Sequence, residues 1–519
     1  MRLRLMLLTL GALVLGVMAG PQAQTSSVTP SAACEAMAKV ALPNATITTA
    51  EAVPAGFTPP GGRGGRGRGG APVAPLPPFC RVAATLTPTP QSDIKVEVWL
   101  PLEWNGRLLA VGNGGWAGSI SYPAMSTALV AGFATVSTDT GHTGGTPSFA
   151  IERPEGVIDY AYRSEHEMTL KAKQLIAAFY GRPAQFSYWD GCSTGGKQAL
   201  TEAQRYPEDF NGIIAGAPAN YMIHLHAAQT NIAQALDRTP GSRIPPEKFP
   251  MIQAAAVAGC DANDGLKDGL IDDPRQCAFD PGTLLCKAGD EASCLTAAQV
   301  ETVRTIYRPL THPNTGAVIF PGLMPGSEAL WGTSVAQPLP FPMQTFQYVI
   351  FKDPAWDYHS FKVATDVDIA DRMDGGANNA TNPNLAPFFS RGGKLLMYHG
   401  WSDHHISPVN SINYYTSVLQ SVADPATTSA SVRLFMAPGM AHCGGGEGPD
   451  TFDRVGAIRA WVENGTAPDR LIASKATGAQ ANRTRPLCPY PQVARWNGTG
   501  SSDDAANFSC MAPTAGQAR

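Results

Sequence analysis

The stretch that most restricts how this chain can fold is Phe186 to Tyr206. Phe186–Asp190 (FSYWD) has the composition of a buried strand, Lys197–Tyr206 is compatible with a helix, and Gly191-Cys192-Ser193-Thr194-Gly195 joins them. A strand that turns into a helix within so few residues brings backbone against backbone, which only small residues allow. It also lifts the central side chain clear at the carboxyl edge of a sheet. G-x-S-x-G is a loose pattern by itself. It occurs once in this chain, and its setting between strand and helix gives it weight. A strand feeding a helix further implies a crossover, and hence a parallel sheet with helices on its faces.

The same rhythm runs on either side of one long interruption. Ile94–Leu100 (IKVEVWL) alternates as a strand should, and Arg107–Val111 (RLLAV) is a buried run ending in Gly112-Asn113-Gly114-Gly115. Phe133–Asp139 reads as another strand, and residues 164–180 have helical spacing, with Ser164 as a cap and Gly181-Arg182-Pro183 as the stop. From Met222 the pattern dissolves into Pro-rich, cysteine-bearing and acidic stretches. It resumes with strand Lys394–His399, a helix from Pro408 to Leu419, strand Ser431–Met436 and a helix from Thr451 to Glu463. At 519 residues the chain exceeds a single simple core. The expected organisation is a signal peptide (1–23), an N-terminal segment with a Gly/Arg/Pro-rich loop (24–80), the first part of an α/β core (81–221), an inserted lid (222–386), the second part of the core (387–475) and a disulfide-bearing, loop-rich tail (476–519).

Arg2 and Arg4, an apolar run to Ala19 and then Gly20-Pro21-Gln22-Ala23 form the pattern of a secretory signal, cut near Ala19 or Ala23. No later stretch reaches the length of a membrane span, so a secreted or periplasmic protein is expected. Lys plus Arg total 38 against 42 Asp plus Glu, a net charge of −4 that offers no field for nucleic acid. The RGG-like run GGRGGRGRGG is short and isolated, and reads as a solvated loop. Ten cysteines with no CxxC favour disulfides over zinc. Cys260 with Cys277 and Cys286 with Cys294 suggest local loops, although spacing alone leaves connectivity open.

A serine at such an elbow needs a histidine base held in one tautomer by a carboxylate. In an α/β-hydrolase core these partners follow in the order Ser, Asp, His. Lys394–His399 runs into Gly400-Trp401-Ser402-Asp403, and Ser431–Met436 runs into Ala437-Pro438-Gly439-Met440-Ala441-His442. Asp403 and His442 therefore sit past the carboxyl ends of successive strands, in that order. Cys192 precedes Ser193 and Cys443 follows His442, so a bridge between them would make nucleophile and base neighbours. His404 and His405 lack a spaced third metal ligand and read as pocket or loop lining, and His142 as hydrogen-bonded loop structure.

This Cys-Ser, Asp, His-Cys arrangement, together with DGCSTGGKQAL, FKDPAWDY, GGKLLMYHGWSDHHISP and APGMAHCGGG, resembles the tannase and feruloyl esterase family of α/β hydrolases, which includes mono(2-hydroxyethyl) terephthalate hydrolase. The resemblance implies a Ser193–His442–Asp403 triad and an oxyanion hole from the N–H of Thr194 and one from the Gly114–Gly115 turn. It also implies the pairings Cys34–Cys80, Cys192–Cys443, Cys260–Cys277, Cys286–Cys294 and Cys488–Cys510. The acidic loop from Asp261 to Asp273 is not an EF-hand, yet it suits calcium. The resemblance implies ligands from the carboxylates of Asp261, Asp264 and Asp268 and the carbonyls of Leu266 and Leu270, with Asp272 as a further candidate.

The expected function is an exported serine esterase of aromatic-acid esters, with structural calcium and no organic cofactor. Hydroxycinnamates rank first, gallates second and terephthalate half-esters third, because no lid arginine is assignable to a free carboxylate. The rival reading is a calcium-stabilised binding protein on a hydrolase scaffold, and a peptidase is a weaker one. Trp331, Phe341, Phe346, Tyr348, Phe351, Trp356 and Tyr358 are candidates for packing the lid, with a few facing Ser193. Oligomeric state is not readable.

Overall fold

A computed structural model describes residues 30–60, 75–422, 424–477 and 480–513. The expected signal peptide and the GGRGGRGRGG run lie outside the described residues.

Nine strands form the central sheet: β1 (Ala45–Val53), β2 (Phe79–Leu86), β3 (Ile94–Pro101), β4 (Arg107–Val111), β5 (Ala134–Thr138), β6 (Phe186–Cys192), β7 (Gly212–Gly216), β8 (Lys394–Gly400) and β9 (Val432–Ala437). Their order across the sheet is β1-β2-β3-β5-β4-β6-β7-β8-β9. Pairing is antiparallel from β1 through β3 to β5 and parallel from β5 to β9. The parallel strands are covered on both faces, which is why β5 and β7 are buried at every position. β2 lies at the antiparallel side and alternates between buried and half-buried residues.

Helices α1 (Tyr122–Val130), α2 (Ser164–Tyr180) and α3 (Thr194–Arg205) belong to the first part of the core. α2 stops at Gly181, whose φ of 68° takes the left-handed conformation that glycine allows. Its start differs from expectation. A π-helical turn, Asp159–Arg163, leads into it, so Ser164 is no cap and its hydroxyl bonds Glu165 instead. Two domain boundaries also shift. The 24–80 segment supplies β1 and opens β2, because the antiparallel edge needs those residues for its ladder. The 475/476 boundary cuts a strand, since Leu471–Thr477 pairs with Gln480–Leu487, and Val493–Trp496 pairs with Phe508–Met511. The tail is thus two small antiparallel sheets rather than loop.

Between β7 and β8 the chain builds a lid from α4 (Met222–Leu236), α5 (Phe249–Cys260), α6 (Ala297–Tyr307) and α7 (Val363–Asp374). α6 begins with a full capping box, Thr296 with Gln299. The lid has one apolar cluster of its own, around Trp331, and shares another, around Phe346, with Trp116, Ala150, Tyr160 and Ile406 of the core. α8 (Pro408–Ser421) and α9 (Arg454–Asn464) complete the core, α9 being capped by Asp453 on the Gly456 N–H. The molecule is an α/β-hydrolase core with a large inserted lid.

Candidate active site

Ser193 sits between β6 and α3 with φ 65° and ψ −122°. A non-glycine residue held there stores roughly 1–3 kcal/mol of strain, so surrounding bonds must fix it. Its N–H donates to the Gly216 carbonyl at 2.9 Å, and its own carbonyl accepts from Lys197 and Ala219 at 3.0 Å each. Small residues are obligatory around it: a Cβ on Gly112 would lie 2.5 Å from Gly195 Cα, and one on Gly191 would collide with the Gly195 carbonyl.

Asp403 is fully buried past the end of β8. Its Oδ2 accepts from His442 Nδ1 at 2.7 Å and from His399 Nε2 at 2.9 Å, and its Oδ1 accepts from the N–H groups of His405 and Ile406 at 2.8 and 2.9 Å. Burial alone would push this carboxyl up. The charge of His442 and the bonds from His399 and His442 outweigh it and hold the carboxyl well below the usual range. His442 keeps 17% of its side chain exposed, so its far ring edge is accessible while Nδ1 is engaged. The Cys192–Cys443 disulfide holds its Cα atoms 5.9 Å apart, setting the serine elbow beside the histidine loop. Among the described contacts Ser193 Oγ makes no hydrogen bond to His442. Such contacts commonly tighten only when substrate arrives.

The N–H groups of Thr194, Gly114 and Gly115 have no hydrogen-bond partner among the described residues. Thr194 is the first residue of α3, where helical N–H groups are left over and the dipole favours negative charge. The Gly114–Gly115 turn is tied to that helix by Asn113: its N–H donates to Gln198 Oε1 at 2.9 Å and its carbonyl accepts from the Gly195 N–H at 2.8 Å. The first turn of α3 and the glycine turn are thus bonded to each other beside Ser193, and each carries N–H groups without a partner among the described residues.

A cavity of about 470 Å³ lies mainly within the lid, with Leu225, Ile232, Phe320, Val335, His404 and His405 among its walls but not Ser193, Asp403 or His442. His405 stands between it and the base, its ring 5.0 Å from that of His442, and burial lowers its pKa to about 3, so it is a neutral wall. None of the seven lid aromatics singled out in the sequence lines this cavity. Trp331 and Phe346 are wholly buried in apolar clusters, where Phe346 stacks with Trp356 and packs on Phe351. Phe320 was missed because it lies in a two-strand hairpin too short to register as an element. His142 bonds the Trp116 carbonyl through Nε2 at 2.8 Å, as loop structure.

All ten cysteines are paired, as Cys34–Cys80, Cys192–Cys443, Cys260–Cys277, Cys286–Cys294 and Cys488–Cys510. In the acidic loop, Asp261 accepts from the N–H groups of Asp268 and Gly269, Asp264 from Leu266, and Asp268 from Leu270 while also pairing with Arg485. Asp272 Oδ2 is buried without a partner. Its pKa is pushed up to about 7, first by burial and next by the charge of Asp264. Among the described residues no three His, Cys, Asp or Glu side chains stand together as a metal cluster. The orphaned Asp272 oxygen and the all-oxygen donor chemistry nevertheless fit a hard cation completed by backbone carbonyls.

His399 escaped the sequence reading. It ends an apolar strand, and the Asp403 that it binds is brought to it only by the turn at Gly400–Ser402.

A family model described as tannase and feruloyl esterase matches residues 80–511. The chain is 37% identical to an uncharacterized esterase of Xanthomonas campestris pv. campestris, over 98% of this chain and 95% of that one. It is 34% identical to a probable feruloyl esterase B-1 of Aspergillus oryzae, over 92% and 93%. The crystal structure of feruloyl esterase B from Aspergillus oryzae superimposes with a TM-score of 0.86 at 33% identity, covering 93% of this chain and all (100%) of that one.

Proposed function

The chain belongs to the tannase and feruloyl esterase family and is a carboxylic ester hydrolase, and from that premise we propose that it is an exported serine esterase of aromatic-acid esters working through Ser193, His442 and Asp403. The observation that carries the mechanism is the 2.7 Å bond from His442 Nδ1 to a buried, ionised Asp403, on a loop bridged to the serine elbow. With Nδ1–H committed to Asp403, His442 Nε2 is the acceptor of the Ser193 proton. Ser193 Oγ attacks the acyl carbon, and the oxyanion takes hydrogen bonds from the Thr194 N–H and the Gly114–Gly115 turn. The tetrahedral intermediate collapses as His442 gives its proton to the departing alcohol. Water then repeats the sequence on the acyl-enzyme, and the acid is released.

Export is supported by five disulfides and by the absence, among the described residues, of a helix long and apolar enough to cross a membrane. The aromatic preference is supported by the names of the relatives. Arg308 lines the lid cavity but is paired with Glu301 at 2.9 Å, and Arg238 stands exposed in the same wall. The ranking, hydroxycinnamates first, gallates second and terephthalate half-esters third, rests on the relatives' names, and the two arginines are where a terephthalate carboxylate would be sought. Turnover of methyl ferulate, a gallate ester and mono(2-hydroxyethyl) terephthalate tests the ranking. Hydrolysis of p-nitrophenyl acetate with none of the three would leave the esterase and remove the preference.

Calcium in the Cys260–Cys277 loop would be held by the carboxylates of Asp261, Asp264 and Asp268 and the carbonyls of Leu266 and Leu270, with Asp272 beside them, and would supply charge neutralisation and loop order. Chelation is expected to lower the melting temperature. A calcium-free purified protein whose melting curve ignores chelator would contradict the assignment.

A further inference from the structure

The Gly114–Gly115 turn is the least supported part of the proposed machinery. A Cβ built on either glycine meets nothing within 4 Å, and Gly115 has φ 54°, so neither packing nor an L-side-chain preference restrains it. What restrains it is bonding at its carbonyls. Gly114 O accepts from the Ala117 N–H at 3.0 Å. Gly115 O accepts twice, from Tyr160 Oη at 2.7 Å and from Thr194 Oγ1 at 3.1 Å. A peptide is planar and trans, so fixing a carbonyl fixes the N–H on the other side of the same bond. The Ala117 bond orients the Gly115 N–H, and the Tyr160 and Thr194 bonds orient the Trp116 N–H.

We propose that Tyr160 is a positioning residue of the oxyanion hole, holding the glycine turn at a set distance and angle from the nucleophile helix. The inference rests on the Ser193 assignment above. Tyr160 is completely buried and lies between the two parts that it would register. Its ring stacks on Trp116, the next residue of the turn, with centroids 4.1 Å apart and planes at 26°. Lys197 Nζ stands over the same ring, 4.8 Å from the centroid. Lys197 belongs to the first turn of α3, where its N–H bonds the Ser193 carbonyl, and its buried ammonium has no hydrogen-bond partner among the described residues. The ring therefore contacts both parts, the glycine turn through Trp116 and the nucleophile helix through Lys197, while its hydroxyl bonds the turn.

Tyr160 is itself fixed. It lies in the π-helical turn before α2, a geometry that occurs mostly as single turns at functional sites. That turn is pinned by Asp159, which accepts from Ser92 Oγ at 3.0 Å and pairs with Arg163 at 2.9 Å. Burial pushes the Tyr160 hydroxyl above its ordinary pKa, so it remains a donor. A buried tyrosine usually finds some acceptor. Here the acceptor is the carbonyl through which the unpacked glycine turn is also tied to Thr194 of the nucleophile helix.

The test is Tyr160→Phe in the full chain, which keeps the ring and removes the hydroxyl with its bond to Gly115 O and its contact with the Thr194 side chain. The expected result is a fall in kcat of about 10- to 100-fold, with KM within about twofold. Affinity for an arylboronic acid, which forms a tetrahedral adduct on the serine, should fall in step with kcat/KM. Affinity for the product acid should not move. Wild-type kcat in Tyr160→Phe, or a lowered kcat with unchanged boronate affinity, would overturn the proposal. If Tyr160→Phe does not fold, Thr194→Val decides: it removes the other hydroxyl from the same carbonyl and leaves the backbone donor. A smaller loss with the same KM and boronate pattern supports the proposal, and no loss overturns it. An active Ser193→Ala protein would instead overturn the serine assignment, and this inference with it.

Discussion

Asp403 accepts four hydrogen bonds, two of them from histidine rings, and only one of those rings is the proposed base. His399 Nε2 faces two acceptors, Asp403 Oδ2 and the Ile406 carbonyl at 3.2 Å, so it carries the proton, and Nδ1 receives the Ser411 hydroxyl at 2.7 Å. Replacing this wholly buried ring by an apolar one leaves Ser411 and one lone pair of Asp403 without partners. His399→Leu is therefore expected to cost about 1–3 kcal/mol of stability and to lower kcat by roughly 10-fold as Asp403 loses a restraint. Denaturant unfolding and steady-state kinetics check both; an unchanged protein would mean that the two backbone N–H groups suffice. The serine, aspartate and histidine were legible because each follows a strand end in a set order. His399, Tyr160 and Gln198 were not, since nothing in KLLMYH, DYAYR or GGKQAL shows which polar group each will meet.

At the level of elements, the parallel sheet brings the ends of β6, β8 and β9 to one edge, and the Cys192–Cys443 bridge ties the first to the loop after the last across 251 residues of chain. Replacing both cysteines by serine is expected to lower kcat by up to about 10²-fold if the base moves by 1 Å, with KM little changed. Peptide mapping without reduction should recover the crosslinked pair from the wild type. Full activity in the double variant would mean that the sheet positions the base unaided. The parallel strands β4, β5, β6, β8 and β9 were readable in the sequence, whereas β7, the five-residue GIIAG, went unread because it is short and carries glycine at both ends. β1 and the tail hairpins were not: ATITTAEAV and QANRTRPL are half-polar, and what makes them strands is a partner elsewhere in the chain.

For the molecule as a whole, the division of labour follows from the insertion. The core holds the proposed reacting groups, and the lid is packed partly by a cluster of its own and partly against the core, and supplies most of the wall of a cavity that reaches His405. Core order was legible because strand, loop and helix repeat. Trp331 and Phe346 pack the lid as the sequence reading expected for most of its aromatics, while which rings would line a cavity was not legible, since a large ring that fills a core and one that lines a cavity look alike in sequence. The central claim is that Ser193 is the nucleophile of an esterase. A fluorophosphonate should inactivate the purified enzyme and leave its mass on the peptide carrying Ser193, while Ser193→Ala should fold normally, escape labelling and lose on the order of 10⁶ in turnover of methyl ferulate or p-nitrophenyl acetate. Label on another residue, or near-normal turnover by Ser193→Ala, would contradict it.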